Sequence, residues 1–225
     1  VIDYIMGVLT EYSVYAFNDN IKKGFLTSKN GARVGVSGEC VFDKEIVTVK
    51  NIKSLNVRIP HEIPGCSDKI FNKIKNNNDF YNTLIISPPF CGKTTILKDI
   101  ALKINTFYDK NIFIIDERGE FSNIRGVRID LLSYSDKFYA FEYGIRSMAP
   151  EIVITDELVT DSDWNCALSA VNSGIKIIST CHAASLSEVV KKPVFIKNVF
   201  DRYVVLKTGK LGELENIYDG DFNTL

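Results

Sequence analysis

Residues 83–95 read TLIISPPFCGKTT. An apolar run, 83–86, enters a proline-rich loop, and the loop enters 94–105, where apolar residues recur at helical spacing. A strand, then a loop ending in Gly-Lys-Thr, then a helix is the arrangement of a phosphate-binding turn, whose pattern is GxxxxGK followed by Ser or Thr. Ser87, Pro88, Pro89, Phe90, Cys91, Gly92, Lys93 and Thr94 fill it with one departure, Ser87 in place of the first glycine. Gly92 lets the backbone approach phosphate closely. The amides of Gly92, Lys93 and Thr94 would point at phosphate oxygens from a helix N-terminus, where the helix dipole favours negative charge. The Lys93 ammonium would reach the β and γ phosphates, Thr94 would ligate Mg²⁺, and Thr95 is placed for the α phosphate. The expected ligands are therefore ATP and Mg²⁺. If the position of Ser87 needs positive φ, a residue other than glycine costs ~1–2 kcal/mol there. Pro88 and Pro89 fix the next two φ angles and stiffen the loop. A Gly-Lys-Thr helix start without any ligand is the plainer alternative, and the flanking strand and amphipathic helix argue against it.

Composition bounds the rest. The 225 residues suffice for a sizeable core and for one large or two small domains. Hydrophobic residues make up 45% and charged residues 24%, the balance of an ordinary globular protein. A net charge of −1 offers no basic excess, so no nucleic-acid partner is expected. Cys40, Cys66, Cys91, Cys166 and Cys181 are odd in number and form no CxxC pair, which fits reduced thiols better than a disulfide framework or a zinc site. No apolar stretch approaches the ~20 residues of a membrane span, and no signal peptide is recognised. The chain starts at Val1 inside what reads as a helix, so the reading expects an N-terminal region that begins earlier.

Two textures follow one another. Residues 2–17 have near-helical apolar spacing. Short strands are then predicted at 24–26, 33–37, 39–42, 46–49 and 54–59, with turns at 28–31, 37–38 and 43–44. Residues 1–78 are thus expected to form a small α+β domain, with the polar run 73–79 (KIKNNND) as the join and hinge region to 79–225. From residue 80 the texture becomes β-α-β. Strands are predicted at 83–87, 111–116, 151–155, 176–180 and 202–207, and helices at 94–105, 138–148, 164–172 and 186–191. Near-continuous apolar strands belong to a mostly parallel sheet buried on both faces, and ligands bind at the carboxyl ends of such strands.

Acidic and polar groups close these strands. Residues 152–157 (IVITDE) deliver Asp156 and Glu157 to a strand end. Asp156 is expected to hold Mg²⁺ opposite Thr94, and Glu157 to orient or deprotonate the attacking water, a role worth ~10²–10⁴-fold in rate. Two adjacent carboxylates are costly without a cation nearby; a strand ending in an exposed turn is the alternative. A second cluster, Asp116, Glu117, Arg118 and Glu120, follows 111–115, and Asp116 or Glu117 is the reserve for water activation. In 177–182 (IISTCH), Ser179 and Thr180 end a strand where a hydroxyl would sense the γ phosphate or the water, and His182 lies just past it. A lone histidine is more often structural, and no second His or Cys is spaced to chelate a metal with this one.

Taken in order, SPPFCGKTT, NIFIIDERGE, RSMAPEIVITDE and SGIKIISTCH resemble the Walker A, aspartate, Walker B and histidine boxes of the secretion-ATPase branch of RecA-like P-loop proteins. Over essentially the whole chain, SVYAFNDNIKKGFLTSKNGARVGVSGECV, SLNVRIPHEIPGC and YNTLIISPPFCGKTTILKDIA resemble the stage III sporulation protein AA ATPase family of spore-forming bacteria, which tolerates a serine at the first loop position. The resemblance implies a RecA-like P-loop NTPase core preceded by a small α+β N-terminal domain. It implies a Mg²⁺-dependent ATPase in the mother-cell cytoplasm, assembled as a ring, a hexamer by the family pattern. Such a ring would energise a secretion-like channel to the forespore through membrane-protein partners. It also implies nucleotide contacts from Arg58, less surely Arg33, and Arg146. Two departures stand out. Residues 121–128 replace a longer connection, and Leu158-Val159-Thr160 stands where the family shows a glycine and an arginine, which puts full hydrolytic activity in doubt. A nucleotide-gated assembly scaffold with little or no hydrolysis is therefore the alternative reading.

Overall fold

The protein is described from a computed structural model covering residues 1–22, 24–28, 32–43, 45–58 and 63–225. The chain divides into two compact units, Val1–His61 and Glu62–Leu225. The first holds α1 (Ile2–Leu9), a 3-10 turn (Val14–Phe17), α2 (Asn18–Lys22), β1 (Phe25–Thr27), β2 (Arg33–Asp43) and β3 (Glu45–Arg58). One helix over 2–17 was expected, and it is broken. Glu11 and Tyr12 take φ of 50° and 60°, a left-handed backbone that a right-handed helix cannot pass through. Thr10 closes α1 by donating to Met6 O from both its amide (3.0 Å) and its hydroxyl (2.8 Å).

The short strands expected between 33 and 58 merge into one long antiparallel hairpin, β2–β3, paired from Arg33↔Arg58 to Asp43↔Glu45. The register slips between Ser37 and Glu39. Gly38 lies in that bulge, where a Cβ would come 2.6 Å from Lys50 O. The glycine therefore marks a close backbone approach, not the turn expected at 37–38. Met6, Ile21 and Leu26 form a small core there with partly buried Phe17, Val36, Val49 and Leu55. The turns expected at 28–31 and 43–44, the strand end at Ile59, and His61 lie wholly or partly outside the described residues.

The second unit begins with α3 (Asp68–Ile74) and a short hairpin, β4 (Lys75–Asn76) and β5 (Asp79–Phe80). Residues 73–79, read as the join, thus lie inside this unit. Its frame follows as β6 (Thr83–Ile86), α4 (Lys93–Phe107), β7 (Ile112–Asp116), β8 (Ile129–Ser133), α5 (Lys137–Ser147), β9 (Ile152–Glu157), α6 (Asp161–Asn172), β10 (Lys176–Cys181), α7 (Leu186–Val190), β11 (Arg202–Leu206) and β12 (Leu214–Asp219). The seven strands run in the order β12-β11-β6-β10-β9-β7-β8, parallel except for β12, which runs antiparallel to β11. One sheet face packs on Ile96, Ile100 and Ile104 of α4 and Ile70 and Ile74 of α3. The other packs on Phe141 of α5, Trp164 and Ala167 of α6, and Leu186 and Val189 of α7. Among the described residues no helix is long and apolar enough to cross a membrane, and all five cysteines are free.

Asn82 pins three neighbouring strands at their amino ends. Its amide donates to Asp201 Oδ2 at 2.9 Å, its Oδ1 accepts from Ile177 N at 3.0 Å, and its carbonyl accepts from Asp201 N and Arg202 N at 2.8 and 3.0 Å. α3 before β4, β8 between β7 and α5, and the terminal β12 are not foreshadowed by an apolar pattern in the sequence.

Candidate functional site

Parallel strands in the order β6-β10-β9-β7 place their carboxyl ends side by side. The loops after β6, β10, β9 and β7 carry the lysine, the histidine and the two acidic clusters. Because β10 stands between β6 and β9, His182 falls between Lys93 and Glu157.

In the loop from β6 to α4, Ser87 is not in the left-handed region; the positive φ angles fall on Phe90 (63°) and Gly92 (86°). The missing first glycine therefore costs nothing in backbone strain, and Phe90 bears a penalty of ~1–2 kcal/mol instead. Gly92 caps α4, and a Cβ there would stand 3.3 Å from Gly212 N, the amide that donates to Cys91 O at 2.9 Å. Gly92→Ala combines strain with a crowded loop contact. A loss of ~1–2 kcal/mol predicts a thermal midpoint lower by ~2–8 °C for a chain of this size; an unchanged midpoint in a fluorescence melt would refute the strain argument.

Lys93 is the first residue of α4 and is buried. Its Nζ donates to Ser87 O and Pro88 O, each at 2.9 Å, and to Ser87 Oγ at 3.3 Å, and lies 2.9 Å from His182 Nδ1. Burial pushes its pKa down, and Glu157 opposes that. His182 Nε2 is 2.9 Å from Glu157 Oε2. With an ammonium donating to Nδ1, the ring proton is assigned to Nε2 and donates to Glu157. Burial and then the Lys93 charge hold the imidazole below its ordinary pKa, which keeps that neutral tautomer. Arg118 reaches Glu157 Oε2 at 3.6 Å. Lys93, His182, Glu157 and Arg118 thus form one polar chain across four strand ends.

A second chain runs through Lys137, which is buried. Its ammonium lies 3.0 Å from both Asp156 Oδ1 and Glu117 Oε2, and it donates to Glu157 O at 2.5 Å. Burial raises the Asp156 pKa to about 6, with Lys137 opposing. Burial alone would lower Lys137, and Asp156 with Glu117 more than offsets it. Asp116 is spent on the backbone: its carboxylate accepts from Glu120 N (2.8 Å), Phe121 N (2.9 Å) and Ser133 Oγ (3.2 Å), closing the turn that presents Glu117 and Arg118. Burial nonetheless raises its pKa.

Thr94 Oγ1 donates to Glu120 Oε2 at 2.9 Å. Thr95 O accepts from Cys66 Sγ at 3.7 Å, and Pro89 O accepts from Cys91 Sγ at 3.6 Å. Thr180 is buried in register with Glu157, and its carbonyl accepts from Leu158 N at 2.9 Å. Ser179 Oγ donates to Asp156 O at 2.7 Å. The segment 158–160 starts α6: Thr160 caps it in a capping box with Asp163. Arg146 is exposed on α5 and pairs with Glu142 at 3.6 Å, and the structure does not bring it to the lysine–histidine–acid cluster. Arg33 and Arg58 belong to the first unit, as partners across β2–β3.

Lys137 and the Thr94–Glu120 bond are absent from the sequence reading. One signal points to Lys137: a lysine at the first position of a helix opposes the helix dipole, as Lys93 also does.

For magnesium, Thr94 and Asp156 offer a hydroxyl and a carboxylate, the oxygen donors that a hard cation takes. Asp156 Oδ1 is shielded from solvent and faces the Lys137 ammonium at 3.0 Å. Among the described residues no three His, Cys, Asp or Glu side chains gather as a metal cage. A site with few protein ligands fits an ion that arrives with substrate phosphates.

A Gly-Lys-Thr turn after β6, with acids closing β7 and β9 of a mostly parallel sheet, gives this unit the fold of the RecA-like P-loop proteins. The Sporulation stage III, protein AA family matches residues 1–225, and the chain belongs to that family. It is 34% identical over 240 residues to Stage III sporulation protein AA of Bacillus subtilis (strain 168), covering 98% of this chain and 78% of that protein. Among solved structures it is similar to the ATPase DotB of Yersinia pseudotuberculosis, with TM-score 0.62, 16% identity, and coverage of 97% of this chain and 67% of that one. It is also similar to the pilus retraction motor PilT with bound ADP, with TM-score 0.56, 16% identity, and coverage of 78% and 55%. At those identities the likeness is one of fold, and the chain spans little more than half of the PilT motor.

Proposed function

We propose that this chain is an ATP-hydrolysing motor subunit of a secretion-like channel complex acting between mother cell and forespore during endospore formation. The observation that carries this reading is the unbroken contact chain from Lys93 through His182 to Glu157. It joins the group that would bind phosphate to the group that would handle water. In this reading Lys93 and the amides of Gly92, Lys93 and Thr94 bind the triphosphate, with Ser87 to Cys91 shaping the turn. Glu157 accepts the proton of the attacking water. His182, held neutral, donates from Nε2 to orient Glu157, and its other nitrogen senses whether Lys93 is engaged by phosphate. Glu117 is the reserve base; Asp116, whose oxygens are taken by Glu120, Phe121 and Ser133, is better fitted to shape the turn. Thr94 and Asp156 would hold magnesium, which when bound neutralises phosphate charge. Ring assembly, membrane-protein partners and a place in the mother-cell cytoplasm belong to the same proposal.

A scaffold that binds ATP and hardly turns it over is favoured by one observation: the protein's own carbonyls and His182 already satisfy Lys93. ATPase rate per protomer against protein concentration separates the two readings. A motor working as a ring rises with concentration to a plateau. A flat, near-zero rate at every concentration, with ATP bound, would decide for the scaffold.

A further inference from the structure

Lys137 stands at the first position of α5, buried, with its ammonium among groups from the ends of β7 and β9. Two physical costs attach to it. The helix dipole disfavours a cation at an N-terminus, and a buried ammonium needs anionic company. Asp156 Oδ1, Glu117 Oε2 and the Glu157 carbonyl supply that company. The ammonium stands 3.0 Å from both Asp156 Oδ1 and Glu117 Oε2, so one cation serves both carboxylates. A divalent ion would compete for those same oxygens.

We propose that Lys137 is a resident counter-cation of the magnesium position: it neutralises Asp156 and Glu117 while no nucleotide is bound and keeps a bare divalent cation out, so that metal enters only with a triphosphate. The inference rests on the reading of Asp156 as the magnesium-bearing acid. Without the lysine, Asp156 would face Glu117 with Asp116 also acting on it. Carboxylates so placed recruit a hard divalent cation. With the lysine present, an incoming bare cation meets a fixed positive charge beside its ligand, whereas a metal–triphosphate brings its own negative charge. Lys137 touches no reacting atom and is a positioning residue.

The test is a Mn²⁺ titration of the full chain without nucleotide, read by electron paramagnetic resonance. Lys137→Met and Lys137→Gln are expected to bind Mn²⁺ at least about tenfold tighter than wild type, a change equal to about 1.4 kcal/mol. Lys137→Arg, which restores the charge, is expected to match wild type. Unchanged Mn²⁺ affinity in the neutral variants overturns the proposal, as does an arginine variant that binds as tightly as the glutamine one. Should the methionine variant fail to fold, the glutamine variant, which keeps a donor for Glu117 and the Glu157 carbonyl, carries the test. A parallel titration of wild type with Mn²⁺ and a non-hydrolysable ATP analogue reads the underlying function. Failure to bind that pair overturns the nucleotide reading itself. Binding of the pair with unchanged bare-metal affinity in the variants overturns only the counter-cation.

Discussion

Lys93→Ala is expected to lower ATP turnover by about a hundredfold or more and to weaken nucleotide binding with it. Preorganised charge aimed at a reacting phosphate is worth ~10²–10³ in rate per group removed. The three donors of this lysine are taken by two loop carbonyls and His182, so it must exchange one of them for phosphate, from a position already inside the turn. Burial, which pushes its pKa down, also lowers the local screening, so its charge acts more strongly than at a surface. The same removal strips donors from Ser87, Pro88 and His182. Lys93→Gln is therefore the companion variant, keeping a donor without the charge. If the glutamine variant binds and hydrolyses ATP like wild type, the charge of Lys93 is not what the turn is for. Binding is read with a fluorescent nucleotide and turnover by phosphate release.

Glu157→Gln is expected to split those two readouts. Loss of the base lowers turnover by ~10²–10⁴-fold, while nucleotide binding stays close to wild type because the turn around Lys93 is untouched. The amide can still meet His182 Nε2, so the polar chain keeps its shape, with less charge to hold Arg118. Equal slow hydrolysis by wild type and Glu157→Gln would remove the motor reading and leave the scaffold. A large effect of Glu117→Gln with a small effect of Glu157→Gln would move the base to the second cluster, although Glu117 is engaged by Lys137.

The parts of the site that were legible in the sequence are those that end buried parallel strands. The runs before Ser87, Asp116, Asp156 and Thr180 are apolar because both of their faces are covered, and a polar residue at the end of such a run is conspicuous. Edge strands bury less. β8 has no fully buried residue, and β12 (LENIYD) keeps only Ile217 buried, so neither presents a long apolar run. α3 (DKIFNKI) buries Ile70, Phe71 and Ile74, and its last two residues fall in the polar run 73–79 that reads as a linker. The bulge at Gly38 splits one strand pattern into two, because a register slip reverses which side chains face the core. Lys137 was missed for a different reason. Its role comes from acids 19 and 20 residues away in sequence, brought to it by strand order rather than by any local spacing.

The fastening of β6, β10 and β11 through Asn82 bears on where this molecule can give way. Strands tied together at their amino ends resist sliding past one another, so a change of splay or twist is easier for them than a shift of pairing. The end of the sheet opposite the Gly-Lys-Thr turn is then its firmest part.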